Sequence, residues 1–182
     1  VKRLGNVYGT IQKAVAAAER VFEVLDTKPE IEDAPDAIAL FPVTGRITFD
    51  NVTFAYRAGE PALRNMSIEI EPGKVLAIVG PSGAGKSTVA NLLPRFYDPQ
   101  EGTIRIDGID IREVTVASLR EQLAMVPQDT ILFSASIYNN ILYGRLDATR
   151  EEVVQAAQSA NAHEFIMQLP DGYETQIGER GC

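Results

Sequence analysis

The sequence predicts an α/β domain, and three observations along its 182 residues indicate this. The segment VLAIV, residues 75–79, is apolar on both faces, which is typical of a central parallel strand covered by helices. A glycine-rich turn and a helical stretch follow it directly. Residues 46–56 and 66–73 instead alternate apolar with polar side chains, which predicts antiparallel strands with one face in water.

The N-terminal region predicts an amphipathic helix over residues 7–25. Its apolar positions step by three and four: Ile11, Val15, Ala18, Phe22 and Leu25. The pattern does not identify what this face packs against, and packing of the helix on its own domain is one alternative. Residues 29–44 are acidic and rich in proline, which predicts a linker.

The β region begins near Gly45. Its alternation changes phase at Asp50-Asn51, which predicts a bulge or turn. MSIEIEPG turns at its last two residues, 72–73, GTIRIDG (102–108) predicts another short strand, and LAMVPQD (123–129) predicts a strand ending at its proline.

Helices are predicted later in the chain. One covers residues 89–96 and is disturbed at Pro94. Two later helices have the sequence of a capping box at their start, Thr149 with Glu152 and Asn161 with Glu164. Residues 170–172, Pro-Asp-Gly, end the last one.

Charge and cysteine content exclude several classes. The net charge is −8, from 17 basic and 25 acidic residues, so broad electrostatic attraction to nucleic acid is not expected. Cys182 is the single cysteine, which excludes an intrachain disulfide and fits a reducing compartment. No run of 18 apolar residues occurs, so no membrane-spanning segment is expected. A first residue other than methionine and the ending GERGC suggest a segment of a longer protein.

The glycine-rich turn carries the pattern G-x-x-x-x-G-K-[ST] at Gly80, Gly85, Lys86 and Ser87. Glycine allows backbone angles that let successive N–H groups surround a phosphate, and the following helix points its positive end there. Lys86 can reach the terminal phosphates, and the Ser87 hydroxyl can bind Mg²⁺. The pattern therefore predicts a nucleoside triphosphate site.

The motif alone does not choose among ATPases, GTPases, small-molecule kinases and DNA-repair ATPases. The sequence has no N-K-x-D pattern for reading guanine, which argues against GTP.

Further segments resemble the nucleotide-binding domain of ATP-binding cassette (ABC) transporters of the exporter type. They are ITFDNVTFAY (47–56), GPSGAGKST (80–88), MVPQDTILFSASIYNNILYG (125–144) and YETQIGERG (173–181), the last including Glu179 and Arg180. The resemblance spans about residues 5–181. It implies a P-loop NTPase fold of the ABC type, with an antiparallel β subdomain, a partial parallel core sheet and a preceding N-terminal helix.

The resemblance also implies the roles of the site residues. Tyr56 would stack on adenine, Lys86 and Gln128 would be catalytic, and Ser87 and Gln128 would bind Mg²⁺. The implied nucleotide contacts are Tyr56, Gly80, Ser82, Gly83, Ala84, Gly85, Lys86, Ser87 and Thr88, and the implied cofactors are ATP and Mg²⁺.

The implied organisation has three parts. Residues 1–28 would be the cytoplasmic extension of the last transmembrane helix, residues 29–44 a linker, and residues 45–182 a partial nucleotide-binding domain. Its partners would be the transmembrane domain of the same transporter and a second nucleotide-binding domain, identical or different, at the cytoplasmic face of an inner or plasma membrane. No nucleic-acid partner is expected.

Three family elements are not found among the 182 residues: the signature motif, the Walker B aspartate with its adjacent glutamate, and the switch histidine. We therefore expect ATP hydrolysis in the intact parent and none in this chain alone. His163 is expected to be an ordinary surface or helix-start residue. Without the Walker B strand beside it, the predicted strand VLAIV would have an open edge. We therefore expect the chain to be only marginally stable.

Two alternatives remain at this point. A soluble ABC-type ATPase of DNA repair or chromosome structure shares the phosphate loop, but the acidic balance, TQIGERG and the N-terminal helix favour an exporter. A P-loop small-molecule kinase would need a lid with arginines and would not predict the segment around Gln128.

Overall fold

The computed structural model describes residues 2–128 and 131–178, with the side chains from residue 12 onward. The chain divides into two compact units, residues 1–124 and 125–182. Glu179 and Arg180 of the segment YETQIGERG, and Cys182, lie outside the described residues. No helix in the described part is both long and apolar enough to cross a bilayer.

The first unit is built on a four-stranded antiparallel sheet. Its strands, in chain order, are β1 (Ile47–Ala55), β2 (Pro61–Ile70), β3 (Glu101–Ile106) and β4 (Ile109–Asp110). They lie in the order β2-β1-β3-β4, so β1 is hydrogen-bonded on both sides. The predicted antiparallel strands are confirmed, and β2 begins several residues before the predicted stretch.

The predicted irregularity in β1 is also confirmed. The pairing of β1 with β2 shifts register between Phe49 and Val52. Asn51, between them, has a φ of 49°, a left-handed conformation that asparagine tolerates better than most side chains. The shift lets Phe49, Val52 and Phe54 all be buried on one side, although their spacing breaks strict alternation.

The predicted strands of the parallel sheet are not formed. Residues 75–79 and 123–127 lie outside every helix and strand of the described chain. Val75, Val79 and Val126 are 98%, 87% and 94% exposed. The apolar pattern marks segments suited to burial, but a strand also requires a hydrogen-bonded neighbour, and no described segment pairs with either one.

Three helices belong to the first unit: α1 (Lys2–Leu25), α2 (Lys86–Leu92) and α3 (Val116–Glu121). The prediction of residues 89–96 for the second was wrong at both ends. α2 starts directly after the glycine-rich turn and stops before Pro94, which lacks the N–H that a continuing helix needs. Arg95 follows with a φ of 54°, so the chain turns sharply there.

The predicted N-terminal helix is present and starts earlier than predicted. Val15, Phe22 and Leu25, on its predicted apolar face, are 46%, 59% and 70% exposed. The alternative in which this helix packs on its own domain is therefore not favoured for these three side chains.

The predicted linker, residues 29–44, is attached to the first unit along its length. Ile38 forms a parallel bridge with Val114, and Leu40 is buried in the core. The Leu40 backbone N–H donates to the Ser118 hydroxyl over 2.9 Å. The Asp33 carboxylate accepts a hydrogen bond of 2.7 Å from the backbone N–H of Val116, the first residue of α3.

Asp107 fixes the end of this segment to the turn between β3 and β4. Its carboxylate accepts hydrogen bonds from the Thr44 hydroxyl at 2.7 Å and from the Arg46 N–H at 2.9 Å. The Thr44 and Gly45 backbone N–H groups donate to it as well. The Thr44 hydroxyl, and next the Arg46 N–H, hold the pKa of Asp107 below its usual value of 3.8.

The second unit contains α4 (Ile137–Leu142), α5 (Arg150–Ser159), α6 (His163–Met167) and a 3-10 turn, Gly172–Glu174. They enclose a small core made of Ile137, Val153, Ala157, Ile166 and Tyr173. The last helix ends before the predicted Pro-Asp-Gly turn, and residue 172 of that turn has a φ of 51°.

One of the two predicted capping boxes is confirmed. The Thr149 side chain accepts from the Glu152 N–H, and the Glu152 side chain accepts from the Thr149 N–H. The prediction for Asn161 was wrong, because α6 begins after Ala162 and has no side-chain cap. Asn161 has a φ of 57°, the left-handed conformation that commonly ends a preceding helix, here α5.

The Asp107 anchor gives a pH-dependent prediction. A carboxyl whose pKa is lowered by folding stabilises the native state above its unfolded pKa, and this contribution is lost as the pH falls through the folded pKa. Asp107→Ala should therefore lower the denaturation midpoint at about pH 6, and the difference from the unsubstituted chain should shrink towards about pH 3. Urea denaturation followed by circular dichroism at both pH values measures this.

Asp36→Ala, an exposed aspartate in the same attached segment, is the matched control and should change neither midpoint. A difference for Asp107→Ala that stayed constant across the pH range would contradict the role of its charge.

Candidate nucleotide-binding site

The glycine-rich turn joins residue 79 to α2, and Gly85 is its point of attachment to the sheet. A β-carbon on Gly85 would lie 2.6 Å from the Ala62 carbonyl oxygen and 2.7 Å from Leu63 Cδ2, both on β2. Gly85 also has a φ of 82°, in the left-handed region. Both the space and the backbone angle therefore require glycine here.

Lys86, the first residue of α2, folds back over the turn. Its ammonium donates to the carbonyl oxygens of Gly80 at 3.0 Å and Pro81 at 2.7 Å. These two bonds leave one of the three ammonium hydrogens for another acceptor. A positive charge is thus held at the turn, next to the N-terminus of α2, where an anion would gain from both.

The other predicted phosphate contacts lie in the same short segment. Ser82, Gly83, Ala84 and Ser87 are exposed, so the two serine hydroxyls are open to a ligand, whereas the Ala84 N–H donates to the Pro81 carbonyl at 3.2 Å. The exposed Ser87 hydroxyl could hold a magnesium ion here, since this metal prefers oxygen ligands. Thr88 differs because its residue is only 4% exposed, which favours a packing role for its side chain.

Tyr56 immediately follows β1 and is 50% exposed. Its ring centroid lies 4.8 Å from that of Phe54 and 5.2 Å from that of Tyr97, with interplanar angles of 86° and 89°. Its hydroxyl accepts a long hydrogen bond of 3.5 Å from the Asn91 side chain on α2. Tyr56, the predicted adenine contact, and the glycine-rich turn are therefore connected through α2.

Gln128 lies in the second unit and is exposed. The two residues after it, 129 and 130, lie outside the described residues. Its predicted roles towards Mg²⁺ and in catalysis therefore rest on the family resemblance of residues 125–144 alone.

His163 starts α6, as expected, but it is half-buried rather than a plain surface residue. Its Nδ1 atom lies 2.9 Å from the Tyr173 hydroxyl. This pair joins α6 to the 3-10 turn, so His163 has a structural role in the second unit. No group of three or more His, Cys, Asp or Glu side chains suited to a metal ion occurs in the described ranges.

The structure brings three residues to Tyr56 that the sequence analysis did not identify. Asn91 and Tyr97 contact Tyr56 itself, and the Gln100 side chain hydrogen-bonds to the backbone of the preceding residue, Ala55. Their only sequence signal was position, between the glycine-rich turn and β3. Neither periodicity nor a motif indicated contact with an aromatic residue so far back in the chain.

Comparison with known proteins identifies the family. The family model described as "ABC transporter" matches residues 63–179, which is most of the chain and includes the glycine-rich turn. The chain belongs to the ABC transporter family. The predicted family is thereby confirmed.

Relatives and a solved structure agree with this assignment. The ATP-dependent lipid A-core flippase of Desulfotalea psychrophila is 52% identical over 182 residues, which are 100% of this chain and 32% of that protein. Human ATP-binding cassette sub-family B member 6 is 50% identical over 177 residues, 97% of this chain and 21% of that protein.

The structure of a bacterial Atm1-family ABC exporter with ATP bound matches with a TM-score of 0.88 and 50% identity, covering 98% of this chain and 31% of that one. The ABC-type fold and the resemblance to exporters are confirmed. The chain spans about a third or less of each of these matched proteins.

The attachment of Gly85 to β2 can be tested by substitution. Gly85→Ala should destabilise the chain by more than the ~1–2 kcal/mol expected for a left-handed alanine, because its β-carbon also meets β2. Gly83→Ala is the matched control, since Gly83 has a φ of 80° but no atom within 4 Å of an added β-carbon. Chemical denaturation of both variants measures the difference, and equal losses would contradict the close-contact explanation.

Proposed function

We propose that this chain binds Mg-ATP as part of the motor domain of an ABC exporter, which couples ATP binding and hydrolysis to export of a substrate across a membrane. The observation that carries the proposal is the turn anchored at Gly85, with the Lys86 ammonium held across it. Exporter relatives at about 50% identity support the same conclusion. Nothing in the described structure favours a soluble ATPase of DNA repair.

Different groups of the chain would bind the base, the phosphates and the metal of Mg-ATP. Tyr56 offers an exposed aromatic ring for stacking on adenine. Backbone N–H groups of residues 82, 83 and 85–87 and the Lys86 ammonium would bind the phosphates, and the Ser87 hydroxyl would hold the magnesium ion. When bound, Mg-ATP supplies the phosphoryl group and a divalent charge that neutralises its oxygens. Gln128 would offer its carbonyl oxygen to the metal or to the attacking water.

The proposed partners follow from the family. The transmembrane domain of the same transporter would precede residue 1 in the chain and continue into α1, which would be its cytoplasmic extension. A second nucleotide-binding domain, identical or different, would face the phosphate turn. Location at the cytoplasmic face of a membrane follows from these partners. The exposed apolar side chains of α1 support a partner for that helix.

ATP binding through the phosphate turn is tested by Lys86→Ala. Removing the ammonium should weaken ATP affinity by about tenfold or more, because hydrogen bonds to charged groups contribute more than neutral ones. Isothermal titration calorimetry with Mg-ATP measures the affinity of this chain. Lys74→Ala, an exposed lysine in the turn after β2, is the matched control and should bind as the unsubstituted chain does. Equal affinities for all three proteins would sink the proposal.

We further propose that this chain alone does not turn over ATP. Hydrolysis requires a group that orients the attacking water, and the family's Walker B glutamate is not among the 182 residues. A steady-state phosphate-release assay should give the background rate even where calorimetry detects binding. Turnover that is abolished by Lys86→Ala would overturn this.

A further inference from the structure

The ring of Tyr56 is the first side chain beyond β1, so its direction is set by the backbone at Ala55. The last pairing between β1 and β3 is Thr53 with Glu101, two residues earlier. Without further support, the end of β1 would be free to fray on this side. Gln100, the residue before β3, supplies that support.

Gln100 extends the sheet by one residue with its side chain. Its backbone N–H donates to the Thr53 carbonyl at 3.1 Å, continuing the pairing of the strands. Its side-chain oxygen then accepts from the Ala55 N–H at 2.8 Å, and its side-chain NH₂ donates to the Ala55 carbonyl at 3.2 Å. The primary amide thus bonds both backbone groups of Ala55, as a peptide of a neighbouring strand would.

Tyr97 restrains the ring itself. It contacts Tyr56 nearly at right angles, and Phe54 lies within 5.5 Å of Tyr97, so the three rings form one cluster. Perpendicular ring contacts of this kind are favourable and restrict rotation of the side chains that make them. Half of Tyr56 nevertheless remains exposed, which leaves ring surface for a ligand.

The segment that carries Tyr97 is itself fixed. Arg95 is 5% exposed and makes a two-pronged ion pair with Asp98, Nε to Oδ1 at 2.9 Å and Nη2 to Oδ2 at 3.2 Å. Arg120 of α3 donates to the carbonyl oxygens of Pro94 and Arg95 at 3.0 and 3.1 Å. Tyr97 therefore sits on a rigid turn.

We propose that Gln100 and Tyr97 are positioning residues that hold Tyr56 ready to stack on the adenine base. The proposal rests on the proposed ATP binding, and it assigns base affinity to residues that need not touch the nucleotide. Preorganisation raises affinity by removing an ordering cost on binding, here by roughly threefold to tenfold. Because the effect acts through the base, the affinity for a ligand that has phosphates but no base should not change.

The test compares Mg-ATP with magnesium and inorganic tripolyphosphate, both titrated into this chain by calorimetry. Gln100→Ala should lose about threefold to tenfold in ATP affinity and bind tripolyphosphate unchanged. Gln100→Glu keeps the acceptor for the Ala55 N–H and loses the donor. Its ATP affinity should therefore lie between those of the unsubstituted chain and Gln100→Ala. Adding Gln100→Ala to Tyr56→Ala should cause no further loss, because the two act through one contact.

Tyr97→Ala should show the same selective loss, and Tyr97→Phe should restore most of it because the ring is kept. Gln158→Ala, an exposed glutamine on α5, is the matched control for both ligands. Equal losses for ATP and tripolyphosphate in Gln100→Ala would overturn the proposal, as would an unchanged ATP affinity beside a clear loss in Tyr56→Ala. Absence of ATP binding in the unsubstituted chain would instead overturn the proposed function, and this inference with it.

Discussion

The contact of Gly85 with β2 governs the geometry of the site. Because the turn approaches the strand so closely that no β-carbon fits, the start of α2 is fixed relative to the sheet. Lys86 follows immediately, and Asn91, about one and a half turns on, contacts the Tyr56 hydroxyl. The two hydrogen bonds of the Lys86 ammonium also hold the glycine-rich turn, and a turn held before binding has less conformational entropy to lose when a ligand binds.

The antiparallel sheet supports both ends of the proposed nucleotide site. Strand β1 is central and pairs with β2 on one side, where the phosphate turn is attached, and with β3 on the other. The stretch just before β3 contacts the end of β1 and the ring of Tyr56. The relative position of phosphate and base contacts therefore depends on hydrogen bonds of one sheet, and not on loop conformation alone.

The sequence was a good guide wherever structure depends on neighbours in the chain. The glycine-rich turn with its following helix, the irregular β1, the alternation in β2 and the Thr149 capping box all depend on residues a few positions apart. It failed where pairing with a distant segment decides the outcome. VLAIV has the composition of a buried strand, but composition does not supply the neighbour that its N–H and C=O groups require.

The candidate site shows the same division. Lys86 and Ser87 could be named because their motif is local, and Tyr56 could be named because the family resemblance supplied it. Gln100 could not be named from the sequence. Its side chain pairs with the backbone of a residue 45 positions away, and such a contact produces no periodic pattern. The Asn161 prediction failed for a different reason. Asparagine is favoured both at the position that starts a helix and at the position that follows its end.

The attachment of residues 29–44 has a mechanical consequence. Asp33 and Leu40 tie this stretch to α3, and Asp107 ties its end to the β3–β4 turn. Seven residues, 26–32, lie between Leu25 and the first of these ties. A displacement of α1 would therefore act on α3 and on the turn between β3 and β4 once these seven residues are extended. Most of the predicted linker is thus held to α3 and the sheet, and only residues 26–32 would be free to change the position of α1.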